Sequence, residues 1–334
     1  MKEIQAVIRT LLAPDAGESV LATLVTAQGS SYRRPGARLL VTQDGTRVGS
    51  ISGGCLEEDV LVRAQRVAAT GQAEAVVYDT TSENDLVWGV GLGCHGIVHV
   101  LLEKLPASPA WAKTLAENFA ANRPTTVAVS HSEESGIPLG TQLADQAGVS
   151  TSTDAAGVFR QIIAPPTRLV IFGAGDDAQP LARLAKDMGW HVTVADPRPA
   201  FATVARFAGA DAIVVGRSDE LVNRIAPGAD ALAVVMTHHY VHDVPIMRAL
   251  LSRPLAYLGL LGPKKRADKI LADLEGEGVA LSPANRARLH APVGLDLGVD
   301  NPEQVALAIV AEIQAVLTGR SARPLRERQR PIHE

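Results

Sequence analysis

The chain has 334 residues and a net charge of -4, with 46% hydrophobic and 20% charged residues, as is typical of a globular protein. This charge gives no general attraction to nucleic acid or to an anionic membrane, and no apolar run approaches the roughly 20 residues that span a bilayer. The only cysteines, Cys55 and Cys94, are too few for a disulfide scaffold, and the first residues lack a signal-peptide pattern, so we expect a cytoplasmic protein with reduced thiols.

Residues 1–163 are predicted to form a small N-terminal α/β domain. Apolar residues at helical spacing (Ile4, Val7, Ile8, Leu11, Leu12) predict an opening helix, which leads into the strand "SVLATLVTA". The stretch "ARLLVTQDGTRVGSIS" predicts a hairpin whose turn carries the Asp44-Gly45 pair. A helix from about Leu56 to Ala69 follows. The remaining predicted elements are the strands "EAVVYDT" and "GIVHVLLEKL", a helix near 109–121 and the strand "TTVAVSH".

Residues 164–319 are predicted to form a second domain of a different kind. It follows the prolines Pro165 and Pro166, which interrupt regular structure. Apolar runs then alternate with stretches of helical length; these runs are "RLVIF", "HVTVAD", "DAIVVG", "ALAVVMT" and "LAYLGLLG". This alternation predicts a Rossmann-type, doubly wound parallel sheet. A last helix begins at Pro302, and residues 320–334 form a basic tail.

A glycine-rich turn follows the first strand of this domain. Gly173 and Gly175 lie between a strand and a helix, and the next strand ends at Asp196. In dinucleotide-binding proteins such a turn faces a pyrophosphate, and the acidic residue binds a ribose hydroxyl. Asp176 and Asp177 bring negative charge that competes with a phosphate. The alternative is therefore a Rossmann scaffold in which these two carboxylates cap the helix.

Histidines and cations cluster at two later strand ends. "MTHHYVHDVP" places His238, His239 and His242 at the carboxyl end of a parallel strand, where doubly wound sheets bind ligands. They could contact a ligand, transfer protons or bind a metal; alternatively, one caps the next helix and the others are exposed. The next crossover carries three cations that suit an anionic ligand or form an ordinary solvated helix turn. These cations are Lys264, Lys265 and Arg266.

The loop "AQGSSYRRPGARLLV" combines small hydroxyl residues with cations, which are groups that bind oxyanions. The candidates are Ser30, Ser31, Arg33, Arg34 and Arg38. If the predicted hairpin folds back, its entry and exit lie close together. The loop then lies beside Gly53, Gly54 and Cys55 in "GSISGGCLEEDV". The alternative is a hairpin with arginines that face solvent.

Cys55 is predicted to lie at the start of a helix, after a glycine loop that resembles an anion cradle. The helix dipole, Arg33 and Arg34 favour a thiolate there, whereas the acidic residues of the first helical turn oppose it. We interpret Cys55 as a reactive thiol; the alternative is a small buried apolar residue. Cys94 lies in a second glycine-rich loop, "GVGLGCHG", where glycine could equally serve a tight turn.

Several of these motifs, in this order, resemble the XdhC/CoxI family. They are "GSSYRRPGARLLV", "GSISGGCLEEDV", "GLGC", "FGAGDDAQPLARLA", "ADPRP", "MTHHYVHD", "YLGLLGPKKR" and "HAPVGLDLG". The resemblance covers most of the chain, and residues 106–163 are its least distinctive part. The family commonly has a second glycine after the later cysteine, where this chain has His95, which weakens a ligand role for Cys94.

The resemblance implies an accessory protein for a molybdenum hydroxylase such as xanthine dehydrogenase, rather than an enzyme that turns over a substrate. Such a chaperone binds the molybdenum cofactor (molybdopterin), assists its sulfuration and inserts it into the apoenzyme. The implied partners are that apoenzyme, a cysteine desulfurase and a second copy of the chain. Cys55 would ligate molybdenum or carry sulfur, and the loop and Rossmann candidates would bind the cofactor, with or without a nucleotide. The alternative function is an NAD(P)-dependent oxidoreductase that uses the Rossmann domain and its histidines.

Overall fold

The computed structural model describes residues 1–29, 31–79, 96–144, 152–153 and 157–329. The candidates Ser30 and Cys94, and the neighbouring His95, lie outside the described residues. The chain divides into two compact units, Met1–Pro166 and Thr167–Glu334. No helix among the described residues is both long and apolar enough to cross a lipid bilayer.

In its described residues, the first unit contains three α-helices and two antiparallel sheets. The helices are α1 (Lys2–Leu11), α2 (Glu57–Thr70) and α3 (Ala110–Ala120). The strands of the larger sheet are β1 (Ser19–Gly29), β2 (Arg38–Thr42), β3 (Arg47–Gly49), β4 (Glu74–Asp79) and β5 (Gly96–Leu105), in the order β3-β2-β1-β5-β4. The smaller sheet contains β6 (Thr125–Ser130), β7 (Gly140–Leu143), β8 (Ser152–Thr153) and β9 (Val158–Ile163), in the order β7-β6-β9-β8.

The predicted hairpin is confirmed as the antiparallel pair β2 and β3. In its turn, Gly45 has a φ of +82°, and the Asp44 carboxylate accepts a hydrogen bond from the Thr46 amide. These are the roles that an Asp-Gly turn requires, because glycine tolerates the left-handed backbone and aspartate binds an amide two residues on. The turn returns the chain to the strand that begins at Arg38, which brings the two candidate loops together.

Successive side chains of β1 point to opposite faces of the larger sheet, and both faces are buried. On one face, Val20, Ala22 and Leu24 share an apolar cluster with the buried side of α2. On the other, Leu21 packs with residues of α1 and α3. Helix α2, with Cys55 just before it, is therefore fixed to the sheet by apolar packing.

Over residues 167–329, the second unit contains one parallel sheet and six α-helices. Its strands are β10 (Arg168–Phe172), β11 (His191–Asp196), β12 (Ala212–Val215), β13 (Leu232–Val235), β14 (Tyr257–Leu260) and β15 (Leu289–His290). Its helices are α4 (Ala178–Asp187), α5 (Ser218–Ile225), α6 (Tyr240–Leu251), α7 (Lys264–Gly276), α8 (Pro283–Arg288) and α9 (Pro302–Thr318). The strand order β12-β11-β10-β13-β14-β15 confirms the predicted Rossmann-type sheet.

The order of connections reverses between β10 and β13, and the turn after β10 lies at this switch point. Gly173 has a φ of +128° there, and a Cβ atom on it would lie 2.4 Å from the carbonyl oxygen of Met236. Only glycine fits at this position, because the connections that follow β10 and β13 approach each other so closely.

Candidate functional site

The connection between β1 and β2 lines a pocket of about 440 Å³ within the first unit. All three arginines predicted for this loop contribute to it. Its polar lining residues include Glu3, Tyr32, Arg33, Arg34, Arg38 and Gln161. The structure therefore brings the predicted cations of this loop to one concave surface.

Arg33 is already neutralised by another residue of the pocket. Its guanidinium donates two hydrogen bonds to the Glu3 carboxylate, one of them over 2.8 Å, and these bonds raise the pKa of Arg33. The Ser31 hydroxyl donates to the Arg33 carbonyl oxygen over 2.8 Å, so that it fixes the loop locally. The Arg33 guanidinium and the Ser31 hydroxyl are therefore less available to bind an external anion than the sequence predicted.

Arg38 is different because its side chain is buried, only 4% exposed. Its Nη1 donates to the Gly36 carbonyl oxygen and to Oε1 of Gln161, both over 2.9 Å. Within the described part of the chain, its Nε and Nη2 have no hydrogen-bond partner. Burial lowers the pKa of Arg38 to about 10, which still leaves it charged at neutral pH. The alternative of solvent-facing arginines is wrong for Arg38, since the second sheet covers this face.

Two polar residues that the sequence analysis did not identify lie on the same sheet face as Arg38. Thr23 is directly opposite Arg38 in the strand register, and its hydroxyl also has no partner among the described residues. Glu103 on β5 is 6% exposed and accepts hydrogen bonds from the amide and hydroxyl of Thr141, over 2.9 and 2.5 Å. Burial raises the pKa of Glu103, although the charge of Arg38 opposes this shift. The sequence signal that could have identified Glu103 was a single carboxylate at an inward-facing position of the otherwise apolar strand β5.

Cys55 lies beside this pocket's loop, as predicted from the hairpin. It directly precedes Leu56, the N-cap residue of α2, and its half-buried side chain packs against the apolar cluster under that helix. The ring of Tyr32 lies 3.4 Å from the position that a Cβ atom on Gly53 would take. The arginine-bearing loop and the glycine loop are therefore in contact through Tyr32.

The amides of the glycine loop point to a carboxylate of the chain itself. Oε1 of Glu57 accepts hydrogen bonds from the amides of Ile51 and Ser52, over 3.3 and 2.9 Å. Oε2 accepts from the amide of Gly54 over 3.1 Å. Burial opposes ionisation of Glu57, but these bonds outweigh it and hold its pKa below the usual value. The loop is thus an anion cradle whose bound anion is Glu57, which the sequence analysis did not identify.

Asp196, the predicted ribose-binding residue, is completely buried. Its carboxylate accepts hydrogen bonds from the Ala174 amide, the Arg198 amide and the Arg198 guanidinium, all over 2.7–2.9 Å. Burial disfavours its ionised form, yet these bonds dominate and lower the pKa of Asp196. The guanidinium of Arg198 also lies 4.2 Å from the ring centre of Phe201. A ribose hydroxyl would have to compete with Arg198 for this carboxylate.

The interpretation that Asp176 and Asp177 cap α4 is wrong. Asp177 occupies the N-cap position, but its side chain makes no capping hydrogen bond. Its Oδ2 lies 2.6 Å from Nε2 of His238, and Asp176 accepts from Arg206 over 2.8 Å. Each carboxylate pairs with a side chain that follows another strand, Asp177 with His238 and Asp176 with Arg206. A charge-assisted hydrogen bond of this kind is stronger than a capping hydrogen bond at an exposed helix end.

The other histidines contact groups of their own unit. His239 is the N-cap residue of α6, but its side chain makes no capping hydrogen bond, so the expectation of a histidine cap is wrong. Nδ1 of His242 lies 2.9 Å from the Ser218 hydroxyl. In the described ranges, no group of three or more His, Cys, Asp or Glu side chains could hold a metal ion. His238 and His242 are therefore hydrogen-bonded to other side chains, His239 contacts the ring of His242, and the cluster gives no support to metal binding.

Two of the three cations at the start of α7 have carboxylate partners. Arg266 donates to the fully buried Asp243 over 2.5 Å, and Lys264 lies 3.2 Å from Asp268. Asp243 also accepts from the Thr237 hydroxyl over 2.6 Å. Lys265 is exposed at the same helix end. Arg266 therefore ties α7 to α6, and its charge is compensated.

Comparison with known proteins agrees with this architecture. Residues 14–79 match the XdhC and CoxI family, and residues 169–313 match the XdhC Rossmann domain. A Bacillus subtilis protein, named as a probable subunit of xanthine dehydrogenase, is 36% identical over 90% of this chain and 94% of its own length. The chain belongs to the XdhC and CoxI family. The resemblance inferred from the motifs is thereby confirmed.

Two further proteins are similar to this XdhC-type chain. The Escherichia coli protein named "Molybdenum cofactor insertion chaperone PaoD" is 26% identical over 89% of this chain and 83% of its own. A crystal structure of a xanthine dehydrogenase from Bacillus halodurans superposes with a TM-score of 0.81 and 32% identity. It covers 97% of this chain and 99% of that chain. The similarity therefore extends over both units.

Proposed function

We propose that this protein binds the molybdenum cofactor and inserts it into a molybdenum hydroxylase such as xanthine dehydrogenase. The names of its E. coli and B. subtilis relatives support this role. The observation that carries the proposal is the contact between Tyr32 and Gly53. Tyr32 also lines the arginine pocket, so it links the rim of that pocket to the loop that presents Cys55, within one unit.

The chemistry of these residues suits that cargo. Molybdopterin carries a phosphate, a dithiolene and an anionic metal centre, so it needs cationic donors at one end and a soft ligand at the other. Arg34 and Arg38 provide cations, and the buried Nε and Nη2 of Arg38 have no acceptor in the described part of the chain. A buried guanidinium without an acceptor favours an anionic guest, because unsatisfied buried donors are costly. Thiolate sulfur is a preferred ligand for soft metal centres, and Cys55 supplies it.

The proposal extends to sulfuration and to assembly. Cys55 would either ligate the molybdenum of the bound cofactor or carry sulfur that a cysteine desulfurase supplies. The chaperone acts in the cytoplasm as a homodimer and delivers the sulfurated cofactor to the apoenzyme. Cys94 stays a candidate second contact, on the strength of its glycine-rich loop alone.

Within the second unit, taken by itself, Gly173, Gly175 and the cations after the strand ends are proposed as cofactor-binding residues. The geometry gives less support to an NAD(P)-dependent oxidoreductase. Arg198 occupies the Asp196 carboxylate, which would have to bind the ribose of a nicotinamide dinucleotide. We therefore assign the unit to cofactor binding and not to hydride transfer.

Equilibrium dialysis of the purified protein against molybdopterin tests the proposal. The wild-type protein is expected to bind saturably, and Cys55→Ala is expected to bind more weakly. Glu58→Gln, an exposed change in the same helical turn, is the matched control and should bind as the wild type does. Absence of saturable binding by the wild type would overturn the proposal. Equal binding by Cys55→Ala would remove Cys55 from it.

A further inference from the structure

Few side chains within the loop around Cys55 hold the loop backbone in place. The loop is anchored by Ile51 and Leu56, which are 1% and 5% exposed. Between these anchors lie Gly53 and Gly54. Gly54 has a φ of +113°, and no described atom lies within 4 Å of the position that a Cβ atom on it would take. Glycine loses more conformational freedom on folding than any other residue, so such a loop needs outside contacts to hold one shape.

Glu57 supplies those contacts from the first position of α2. Besides the amides of Ile51, Ser52 and Gly54, its carboxylate accepts from the Ser50 hydroxyl over 2.8 Å and from the Ser52 hydroxyl. One carboxylate thus gathers three amide donors and the Ser52 hydroxyl, together with the Ser50 hydroxyl, whose one hydrogen is shared with the Ser52 carbonyl oxygen. Hydrogen bonds to an ionised acceptor are roughly twice as strong as neutral ones, so this side chain dominates the conformation of the loop.

The same network holds the residues on both sides of Cys55. The Gly54 amide donates to Glu57 and, over 3.2 Å, to the Ser52 hydroxyl oxygen. The Leu56 amide donates to that same oxygen over 3.1 Å. The Ser52 hydroxyl in turn donates to Glu57. The chain immediately before and after Cys55 is therefore tied to one carboxylate, directly or through Ser52.

Stabilisation of the helix start does not account for this arrangement. Glu58 and Asp59 already place negative charge in the first turn of α2, where it interacts favourably with the helix dipole. Asp59 pairs with Arg63 and accepts from the Tyr78 hydroxyl on the side of the sheet. Of the three acidic residues, Glu57 is the one that turns back into the loop. A glutamine there would present an NH2 donor to a set of donors, so it could not replace the carboxylate.

We propose that Glu57 is a positioning residue that holds the Cys55 thiol in the geometry required for cofactor binding. The cofactor part of this inference rests on the proposed function, whereas the geometry of the thiol does not. Glu57 itself contacts no cargo. It replaces an external anion in the cradle, so the cradle serves to present Cys55 and leaves anion binding to the arginine pocket.

The test uses full-length protein with Cys94→Ser, so that Cys55 is the one thiol. Glu57→Gln is compared with Glu58→Gln, which removes one charge from the same helical turn but no loop contact. We expect the iodoacetamide alkylation rate of Cys55 to change about tenfold in Glu57→Gln, and molybdopterin affinity to fall about tenfold, as for loss of a charge-assisted hydrogen-bond network. Both quantities should stay within about twofold in Glu58→Gln, since an exposed charge contributes little.

A double-mutant cycle separates positioning from general support of the fold. If Glu57 acts through Cys55, the double variant Glu57→Gln, Cys55→Ala binds molybdopterin as Cys55→Ala does alone. Additive losses, or a Glu57→Gln alkylation rate equal to that of Glu58→Gln, would overturn the inference.

Two further measurements test the role of Glu57 if Glu57→Gln does not fold or if the wild type binds no molybdopterin. If Glu57→Gln does not fold, Ser52→Ala removes the hydroxyl that links Glu57 to both neighbours of Cys55, and we expect the alkylation rate to differ from that of the wild type by less than tenfold; no difference would count against Glu57. If the wild type binds no molybdopterin, the proposed function fails, while the alkylation rates still decide whether Glu57 positions Cys55.

Discussion

Nε2 of His238 lies 2.6 Å from Oδ2 of Asp177, and this contact joins the connections that follow the two central strands of the parallel sheet. His238 has a φ of +62°, a left-handed conformation that costs a non-glycine residue about 1 kcal/mol or more. The contact with Asp177 holds the imidazole in place on this left-handed backbone. It also places a charge pair of the protein's own at the switch point where sheets of this kind bind ligands.

This pair predicts a pH dependence of stability. The hydrogen bond to Asp177 raises the pKa of His238 above its ordinary value of 6.5. The stabilisation is therefore complete below pH 6.5 and is lost as the pH rises through the higher pKa of the folded state. Asp177→Asn should lower the pKa of His238 and flatten this part of the pH profile. NMR titration of the imidazole and urea unfolding at several pH values measure both effects.

Asp176→Asn is the control for this prediction, because Asp176 is exposed and pairs with Arg206 and not with His238. It should leave the His238 titration unchanged. If Asp177→Asn leaves the titration unchanged as well, the ion pair does not form in solution.

The buried Asp196 predicts a stability role for Arg198. Arg198→Ala removes two side-chain hydrogen bonds from a fully buried carboxylate, which keeps only its two amide donors. We expect the free energy of unfolding to fall by about 2 kcal/mol, the usual worth of bonds to a charged group. The exposed pair of Arg217 and Asp219 provides the comparison, since Arg217→Ala should change the free energy of unfolding far less. Equal losses in urea unfolding would contradict the structural assignment.

The close approach at Gly173 predicts strong intolerance to a side chain. Gly173→Ala places a Cβ atom 2.4 Å from the Met236 carbonyl oxygen and forces alanine to a φ of +128°. A destabilisation of about 3 kcal/mol is expected from the combined overlap and strain. Gly276, at the end of α7, has no described atom within 4 Å of its Cβ position. There, Gly276→Ala should be neutral or stabilising by less than about 1 kcal/mol in thermal unfolding.

The arginine pocket predicts that Arg38 contributes more to cargo binding than Arg33. Arg38→Met removes a buried guanidinium with two nitrogens that lack partners in the described chain, so we expect about a tenfold loss of molybdopterin affinity. We also expect a loss of stability, because the buried Glu103 loses the charge that favours its ionised form. Arg33→Met removes a cation that Glu3 already neutralises and should weaken binding less. Equilibrium dialysis ranks the two variants, and the reverse order would argue against Arg38 as the anion-binding group.

Much of the second unit was predictable because its signals are local. Strands β10 to β14 are short apolar runs between glycines or polar turns, and a glycine turn marks the first crossover. In the first unit, β7 and β8 are short strands in the least distinctive part of the sequence, and long-range pairing with β6 and β9 creates them. Such pairing leaves little trace in the sequence composition, so β6 was the one strand of the four-stranded sheet that the sequence predicted.

The candidate site was predictable to the extent that a hairpin brings its ends together. The sequence therefore placed the arginine-bearing loop beside the glycine loop that precedes Cys55, and Tyr32 and Gly53 are where the two approach each other. It could not show that Glu57 turns back into the glycine loop, since the same residue type suits an exposed first helical turn. Nor could it identify the partners of Asp176 and Asp177, because Arg206 and His238 follow other strands and meet them only in the folded sheet.

Transfer of the cofactor tests the central claim most directly. Molybdopterin-loaded protein is mixed with cofactor-free xanthine dehydrogenase under sulfurating conditions, and the xanthine oxidation that appears is compared with that produced by free cofactor. The account predicts faster and fuller activation by the wild-type protein, and loss of this advantage in Cys55→Ser. Activation no greater than with free cofactor, or an undiminished advantage in Cys55→Ser, would contradict it.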